Sequence, residues 1–313
     1  MLNRRQLRLK SMEAIYAFDK SIDKNIDNQI KYFNTSTKNF YQLYIFMLSF
    51  FVDFNAYCQY REKKSKQNFL TNQTDYFFKK FSKNPFLKKI SSDDDLLEKI
   101  KNYEINYWND HQEHLKLIFN KICQDKLYES YIDKKDCSFI EHKSVAISIY
   151  KRIIANDERL YEYIEENNIS WINDFPLVNN LVLESLKKMD KLSRKLLISK
   201  KIYKKKEDEF FGINLIKKTI ENEDFLKNEI AKISSNWDED RIAEIDMVLL
   251  KMCLVEFIYF KSIPVKVSIN EYLELAKDFS SPKSSVFLNG ILDKLSKQFM
   301  ADGKLNKNRR GLQ

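Results

Sequence analysis

Three arginines near the start of the chain, Arg4, Arg5 and Arg8, have the type and spacing that most directly suggest a chemistry. On a helix with about 3.6 residues per turn they fall within roughly 100° of arc. Such a cluster favours a phosphate-bearing partner, because basic side chains that neutralise phosphates release counterions. The alternative is an ordinary solvated helix end, but positive charge is mildly unfavourable near a helix amino terminus. The sequence therefore predicts a polyanion-binding face at the chain start.

The histidines offer a second chemistry, metal binding. His111 and His114 lie beside Asp110 and Glu113, and positions three apart share a helix face. No third ligand follows at a familiar spacing, so the sequence predicts no metal site. The chain has only 3 histidines, and it contains neither a nucleophile motif nor a glycine-rich phosphate loop. We therefore expect a protein that is not an enzyme and has no cofactor.

A polar junction between two helices stands near the other end of the chain. Ser268 and Glu271 have the spacing of a capping box, which predicts a helix start. Pro282 ends that helix or begins the turn, and Ser284 or Ser285 can cap the next helix. The junction must hold both helices in place, so its polar residues are candidates for a functional surface.

Glycine inside the second of these helices has no local use. Gly290 lies within an apolar stripe that includes Phe287, and a glycine there costs about 0.5–1 kcal/mol relative to alanine. We therefore expect a second helix to approach the backbone at Gly290, and Asn289 to bond to the junction near Asn270.

Composition limits the fold class. The 313 residues include only 4 glycines and 4 prolines, too few for a sheet-rich fold with many tight turns, so the sequence predicts an all-α protein. A net charge of +9 favours a polyanionic partner, although the lysine excess also fits an A+T-rich genome.

Cysteine usage and hydropathy indicate the compartment. The 4 cysteines are scattered, and the amino terminus lacks an apolar secretion signal, so we expect a cytoplasmic protein. The longest apolar run, residues 41–52, is shorter than the roughly 20 residues of a membrane span and predicts a buried core helix.

The carboxy-terminal segment resembles the signature of the NusB family of bacterial transcription antitermination factors. The matching residues are Pro264, Ile269-Asn270-Glu271, Leu275-Ala276-Lys277 and Phe287-Leu288-Asn289-Gly290-Ile291-Leu292-Asp293. Upstream, this chain also resembles the preceding helix of the family, at Trp237, Arg241, Ile242, Asp246, Leu249, Leu250, Lys251 and Glu256. At the chain start, the basic first helix of the family is resembled by Arg4, Arg5 and Arg8 followed by Ala14-Ile15-Tyr16.

The resemblance implies a NusB-like helical bundle in two halves. Because typical family members are far shorter, the implied organisation has four parts. These are the first helix at 1–22, a helical insertion or expansion at 23–205, the NusB-like helical core at 206–300 and a basic disordered tail at 301–313. Within the insertion, residues 23–39 read as a polar connection or frayed helix before a long helix at 40–64.

The resemblance also implies the site residues. Arg4, Arg5 and Arg8 would hold single-stranded boxA RNA, a base would stack on Phe287, and Lys283, Ser284 and Ser285 would contact phosphate. Tyr16 and Asp246 match positions that touch NusE, a small ribosomal subunit protein. Ser268, Glu271, Asn289 and Gly290 would be structural. Phe287 can equally be the first core residue of its helix, and Tyr16 a half-buried amphipathic side chain.

The implied function is transcription antitermination with boxA-like RNA and NusE, as part of the RNA polymerase antitermination complex on ribosomal RNA operons. The alternative is a helical protein-interaction module whose insertion docks a polymerase or ribosome-assembly partner. A third alternative is an RNA-modifying enzyme, but the sequence contains no cofactor-binding motif that would support it.

Overall fold

The computed structural model of the chain describes residues 2–66, 73–192, 202–203, 205–234, 242–305, 307–308 and 311. Within these residues the regular structure is helical, apart from an isolated parallel bridge between Leu2 and Tyr203. The predicted all-α fold class is confirmed.

The described residues form sixteen α-helices, numbered here in chain order. The first eight are α1 (Arg4–Lys20), α2 (Ile26–Ser65), α3 (Gln73–Ser82), α4 (Pro85–Ser91), α5 (Asp94–Asn102), α6 (Tyr107–Asp110), α7 (Gln112–Gln124) and α8 (Lys126–Asp133). The others are α9 (Phe139–Arg152), α10 (Glu158–Asn167), α11 (Phe175–Lys188), α12 (Phe211–Glu221), α13 (Glu223–Ser234), α14 (Glu244–Tyr259), α15 (Val265–Phe279) and α16 (Ser284–Ala301). Short 3₁₀ helices occur at Ile154–Asn156, Ile169–Trp171 and Lys206–Glu209.

The chain forms two compact units. The first unit is Met1–Thr37 with Lys201–Gln313, and the second unit is Lys38–Lys200. Of the two alternatives expected at 23–39, a polar connection or a frayed helix, the connection is wrong, because helix α2 is continuous from Ile26. Phe33 is fully buried and holds this stretch in place as helix. The second unit therefore starts later than the insertion expected at 23–205.

Helix α14 is the centre of the first unit. Every residue from Val248 to Phe257 is buried, because α1, α12, α13, α15 and α16 all pack on this helix. A helix that is apolar around its whole circumference is expected to be buried in this way.

The close backbone approach in the first unit occurs at Gly212 and not at Gly290. A Cβ added at Gly212 would lie 2.2 Å from Cζ of Phe33, whereas a Cβ at Gly290 would meet nothing within 4 Å. The expectation for Gly290 is wrong because its position on α16 faces away from the neighbouring helices.

The second unit has an aromatic core around α2. Phe50 stacks on Phe54 with ring centroids 5.2 Å apart and meets Trp108 edge-on at 5.4 Å. Phe78 of α3 stacks on Phe119 of α7 at 3.9 Å. The hydrophobic side chains of the expected insertion therefore pack on one another.

His114 belongs to a buried structural network in the second unit. Its Nε2 lies 2.8 Å from Oδ1 of Asp157 and its Nδ1 lies 2.9 Å from the hydroxyl of Tyr107. Asp157 in turn caps α10 by accepting from the backbone N–H of Leu160. Over the described ranges, no three His, Cys, Asp or Glu residues are grouped so as to hold a metal ion. Nor does any helix among the described residues have the length and apolar composition needed to cross a membrane.

The described part of the tail expected to be disordered packs on the first unit. The Lys307 ammonium donates to the carbonyl oxygens of Glu256 and Phe260, at 2.8 and 3.0 Å. The backbone N–H of Asn308 donates to the carbonyl of Lys261 at 3.1 Å. Burial lowers the pKa of Lys307 to about 8. The partial negative charge of the carbonyl groups at the end of α14 favours a lysine ammonium there, which is the physical reason that the basic tail folds back. Arg309 and Arg310 lie outside the described residues.

Candidate nucleic-acid interface

Helix α1 begins with a reciprocal cap that positions the three arginines. The Asn3 side chain accepts from the backbone N–H groups of Arg5 and Gln6, and the Gln6 side chain accepts from the N–H of Asn3 at 3.1 Å. The cap satisfies donors that a helix start otherwise leaves unpaired, so the helix tolerates basic residues in its first turn.

Arg8 lies in the core and not on a basic surface. Its side chain is 3 % exposed, and its Nε and Nη2 donate to Oε1 and Oε2 of Glu256 at 2.6 and 3.0 Å. Burial alone would lower the pKa of Arg8, but the facing Glu256 carboxylate raises it above the ordinary value. The burial argues against the predicted contact of Arg8 with RNA, because contact with a phosphate would require breaking a buried ion pair.

Glu256 is the centre of this buried network. Beyond its two bonds from Arg8, its oxygens accept from the hydroxyls of Ser268 at 2.7 Å and Tyr272 at 2.8 Å. Burial, and then the negative charge of Glu256, raise the pKa of the Tyr272 hydroxyl. A buried carboxylate is tolerated only when its oxygens are paired in this manner.

Arg4 and Arg5 remain partly exposed and each has an acidic neighbour. Arg4 Nε donates to Oδ1 of Asp208 at 2.9 Å, and Arg5 Nη2 donates to Oε2 of Glu274 at 3.3 Å. Their side chains are 30 and 40 % exposed. The Arg5 pair lies near solvent and is weak, so a phosphate can compete with Glu274 for its guanidinium group. Arg4 is held more firmly, because the side chain of Asp208 is only 5 % exposed.

A cleft of about 560 Å³ opens beside these arginines. Arg4, Arg5 and Arg8 line one side, and Pro264, Val267 and Glu271 at the start of α15 line the other. The cleft places an amphipathic wall opposite two exposed guanidinium groups, which suits a ligand with both anionic and flat apolar parts.

The expected capping box at Ser268 and Glu271 is wrong. Helix α15 begins at Val265 after Pro264, so Ser268 lies inside the helix, where its backbone N–H already donates to the carbonyl of Pro264. The Ser268 hydroxyl is needed by Glu256, and Glu271 instead accepts from Arg8 Nη1 at 3.4 Å. Both residues are structural, as expected, but through tertiary contacts.

Ser284 and Asp246 are joined to each other in the interior. The Ser284 hydroxyl donates to Oδ2 of Asp246 at 2.7 Å, and both residues are buried. This burial argues against the predicted roles of Ser284 in phosphate binding and of Asp246 in partner binding. The bond instead ties the start of α16 to α14.

The start of α16 nevertheless presents several accessible side chains. Lys283 is exposed, and Ser285 and Phe287 are half-buried. Phe287 is thus neither a fully buried core residue nor among the residues that line the arginine cleft. Asn289 and Gly290 are exposed, so their expected roles in helix packing and in bonding to Asn270 are wrong.

Tyr16 lines a different cleft of about 420 Å³, together with Lys20, Lys24, Glu244 and Lys251 among others. The Tyr16 hydroxyl donates to Oε2 of Glu244 at 3.2 Å, and Lys251 is buried against Asp19 at 2.9 Å. A half-exposed tyrosine with charged neighbours of both signs suits a contact with a polar protein surface.

Sequence reasoning missed the role of Glu256. The available signal was the position of Glu256 as the one charged residue in the apolar run 252–260, since a buried charge requires a partner of opposite sign. Two further family positions, Trp237 and Arg241, lie outside the described residues.

Over the described residues the protein is all-helical, and its first unit packs around α14 with a buried ion pair between Arg8 and Glu256 beside the arginine cleft. In comparison with known proteins, the sequence model of the NusB family matches residues 179–297. The chain therefore carries a NusB-family domain, which confirms the resemblance seen in the carboxy-terminal signature. The matched range begins within the second unit, and the first helix lies outside it.

Three relatives are named transcription antitermination protein NusB. The protein of Chloroherpeton thalassium is 37 % identical over 40 % of this chain and 59 % of its own length. The protein of Salinibacter ruber is 38 % identical over 33 % of this chain and 64 % of its own length. The protein of Clostridium kluyveri is 41 % identical over 31 % of this chain and 60 % of its own length. The chain thus spans about three fifths of each relative's length. No solved structure matches the chain.

Proposed function

We propose that the protein is a transcription antitermination factor that binds boxA-type single-stranded RNA together with NusE in the bacterial cytoplasm. The observation that carries this proposal is the NusB-family domain at residues 179–297, shared with relatives of that name. The protein acts by binding RNA and proteins of the RNA polymerase antitermination complex, and it catalyses no reaction.

The RNA contacts fall on the accessible members of the predicted set. Arg4 and Arg5 hold phosphates at the rim of the cleft, while Arg8 positions helix α1 through Glu256. Lys283 and Ser285 contact the backbone near α16, and Phe287 offers its half-exposed ring to a base. This arrangement favours single-stranded RNA as the ligand, because only unpaired bases can stack on a side chain.

The NusE contact lies at the cleft lined by Tyr16. Its carboxylates, such as Glu244, and its lysines favour a partner surface with both charges. Asp246 acts there only indirectly, by holding Ser284 and the start of α16.

Titration of boxA-like and scrambled RNA, each with and without NusE, tests the proposal. We expect the full chain to bind boxA-like RNA more tightly than scrambled RNA, and NusE to increase that difference. Equal affinity for both RNAs in the presence of NusE would contradict the proposed function.

A second candidate is a helical interaction module that docks a polymerase or ribosome-assembly partner. It is favoured by one observation: residues 38–178 of the compact second unit lie outside the family match. If removing the second unit left boxA and NusE binding intact but abolished antitermination, this candidate would be supported.

A further inference from the structure

The second unit carries a lysine-rich pocket that the proposed function does not use. The pocket has a volume of about 380 Å³ and lies between α3 and the segment that follows α8. Five lysines line it: Lys79, Lys80, Lys83, Lys134 and Lys135. Asp136 is the one carboxylate among its described lining residues. Such an excess of positive charge favours an anionic ligand.

One face of α3 supplies most of this pocket. Tyr76, Lys79 and Lys80 are spaced by three and one residues, so their side chains lie on the same side of the helix. Lys83 follows directly after the end of the helix and lines the same pocket. Buried Phe77, Phe78 and Phe81 anchor the opposite face in the core. The aromatic core therefore holds the lysine face towards solvent.

The fold itself uses only two of the five lysines. The Lys80 ammonium donates to the carbonyl oxygen of Lys134, and the Lys134 ammonium pairs with Glu141 at 2.5 Å. The first contact places a lysine at the carboxy terminus of α8, where positive charge is favourable, and the second is an ion pair at the surface. In contrast, Lys79, Lys83 and Lys135 are exposed and form no ion pair with any described residue.

An aromatic ring stands at the rim of the same pocket. Tyr76 lines it, and its side chain is 59 % exposed. Proteins that bind single-stranded nucleic acid combine basic side chains that contact the phosphates with exposed aromatic rings on which bases stack. This pocket has both.

We propose that the Tyr76, Lys79, Lys83 and Lys135 pocket is a second binding site for single-stranded RNA, with Tyr76 stacking on a base and the three lysines contacting phosphates. A phosphopeptide is disfavoured, because arginine forks and not lysines are typical of phosphopeptide sites. Duplex RNA is disfavoured because its bases are not free to stack. This site goes beyond the proposed function, since it lies wholly in the second unit.

The test uses the full chain and labelled oligouridine, a single-stranded RNA without a boxA sequence. The variant Lys79→Gln/Lys83→Gln/Lys135→Gln should bind at least about tenfold more weakly at low salt. Its salt slope should fall by about 2, at roughly 0.7 for each phosphate that is no longer neutralised. The control Lys101→Gln/Lys116→Gln/Lys126→Gln removes the same charge from exposed, unpaired lysines that do not line the pocket. Equally weakened binding in the two triple variants would overturn the inference.

Tyr76 is tested against a tyrosine of equal exposure. Tyr76→Ala should weaken oligouridine binding about 5- to 150-fold, the effect of removing one base stack, whereas Tyr76→Phe should retain most of the affinity. Tyr60, which is 60 % exposed and does not line the pocket, provides the control Tyr60→Ala. An unchanged affinity in Tyr76→Ala, or tighter binding of duplex RNA than of oligouridine, would refute the site.

His142 gives a readout that does not depend on the variants. Its imidazole lines the pocket, and burial and the charge of Lys80 lower its pKa. Oligouridine in the pocket should shift the NMR signal of His142 more than the signals of His111 and His114, the other histidines of the chain. Oligouridine binding without a shift at His142 would place the RNA elsewhere.

These results separate the two proposals. Abolished oligouridine binding in the lysine variant, with boxA and NusE binding retained, would support the second site whether or not the first unit binds boxA. If Arg5→Glu no longer distinguishes boxA-like from scrambled RNA but binds oligouridine with unchanged affinity, the result bears on the site in the first unit and leaves the lysine pocket supported.

Discussion

Arg8 and Glu256 form a two-point ion pair in the core of the first unit, although they stand 248 positions apart in the chain. The pair joins the first helix to the central helix α14, and the same carboxylate holds Ser268 and Tyr272. Arginine at position 8 is thus required by the fold, and the arginines that can contact a ligand are its neighbours, Arg4 and Arg5.

The first prediction concerns the stability of this pair. Arg8→Met should lower the free energy of unfolding by about 3–5 kcal/mol, because it leaves the Glu256 carboxylate buried without its cation. Urea unfolding followed by circular dichroism measures the change. The matched variant Arg5→Met removes an arginine that is 40 % exposed, and should cost less than about 1 kcal/mol. Similar destabilisation in both variants would show that the buried ion pair contributes no more to stability than the exposed Arg5 pair.

A second prediction concerns RNA binding at the cleft. Arg5→Glu should weaken binding of boxA-like RNA and reduce its salt slope by about 0.7 for each phosphate that the side chain no longer neutralises. Glu274→Gln should act in the opposite direction, because it removes the carboxylate that pairs with Arg5 at 3.3 Å. Titrations over a range of salt concentrations measure both effects. If the two variants change affinity in the same direction, Arg5 does not bind phosphate.

A third prediction separates stacking from packing at Phe287. Phe287→Leu keeps an apolar side chain at this half-buried position but removes the aromatic face. It should therefore leave thermal stability nearly unchanged and weaken boxA binding by up to about 1–3 kcal/mol. The neighbouring Val286 is 76 % exposed, and Val286→Ala serves as the control. A large drop in melting temperature in Phe287→Leu, without a change in affinity, would assign the ring to the core.

The elements of the fold are largely predictable from local patterns. Asn3 caps the helix that begins at Arg4, and Asp93 caps α5; both are residue types that favour a helix start. Helix periodicity and caps depend on residues a few positions apart, so the sequence carries them directly. Position 104 is different: Glu104 has a positive φ of 52° and lies between α5 and α6, although glutamate rarely adopts this backbone conformation and does not by itself indicate a helix break.

The site is less predictable, because its contacts join distant parts of the chain. The arc of Arg4, Arg5 and Arg8 on one helix does not reveal that only Arg8 faces a carboxylate of α14. Likewise, local spacing predicts that Ser284 serves the exposed start of its own helix, but Asp246 draws its hydroxyl inward. Local spacing predicts which side chains share a face, whereas burial depends on which helix packs against that face.

The fourth prediction uses the pH dependence of stability. Burial raises the pKa of Asp53, on α2, from 3.8 to about 6, and no described residue forms an ion pair or hydrogen bond with it. Between these values the unfolded chain has released the proton that the folded chain keeps, so stability falls as the pH rises from about 4 to about 6 and stays lower above that window.

Asp53→Asn removes this penalty. The variant should be more stable than the natural chain by about 1–3 kcal/mol near neutral pH, with the difference vanishing below ~pH 4. Urea unfolding at several pH values measures it. Asp94→Asn, at an exposed carboxylate in the first turn of α5, should instead be slightly destabilising near neutral pH, because it removes a favourable charge at a helix start.

The last prediction contrasts two helical glycines of the first unit. Gly212→Ala should destabilise the fold by about 1–3 kcal/mol, because the new methyl group would lie 2.2 Å from the buried ring of Phe33. Gly290→Ala should stabilise it by about 0.5–1 kcal/mol, since a Cβ there meets nothing within 4 Å and alanine is the better helix former. Thermal unfolding of both variants measures the difference in sign. A Gly290→Ala variant that is more stable but binds RNA or NusE more weakly would indicate that the open surface of α16 admits a partner close to its backbone, and a less stable variant would contradict the exposed position of Gly290.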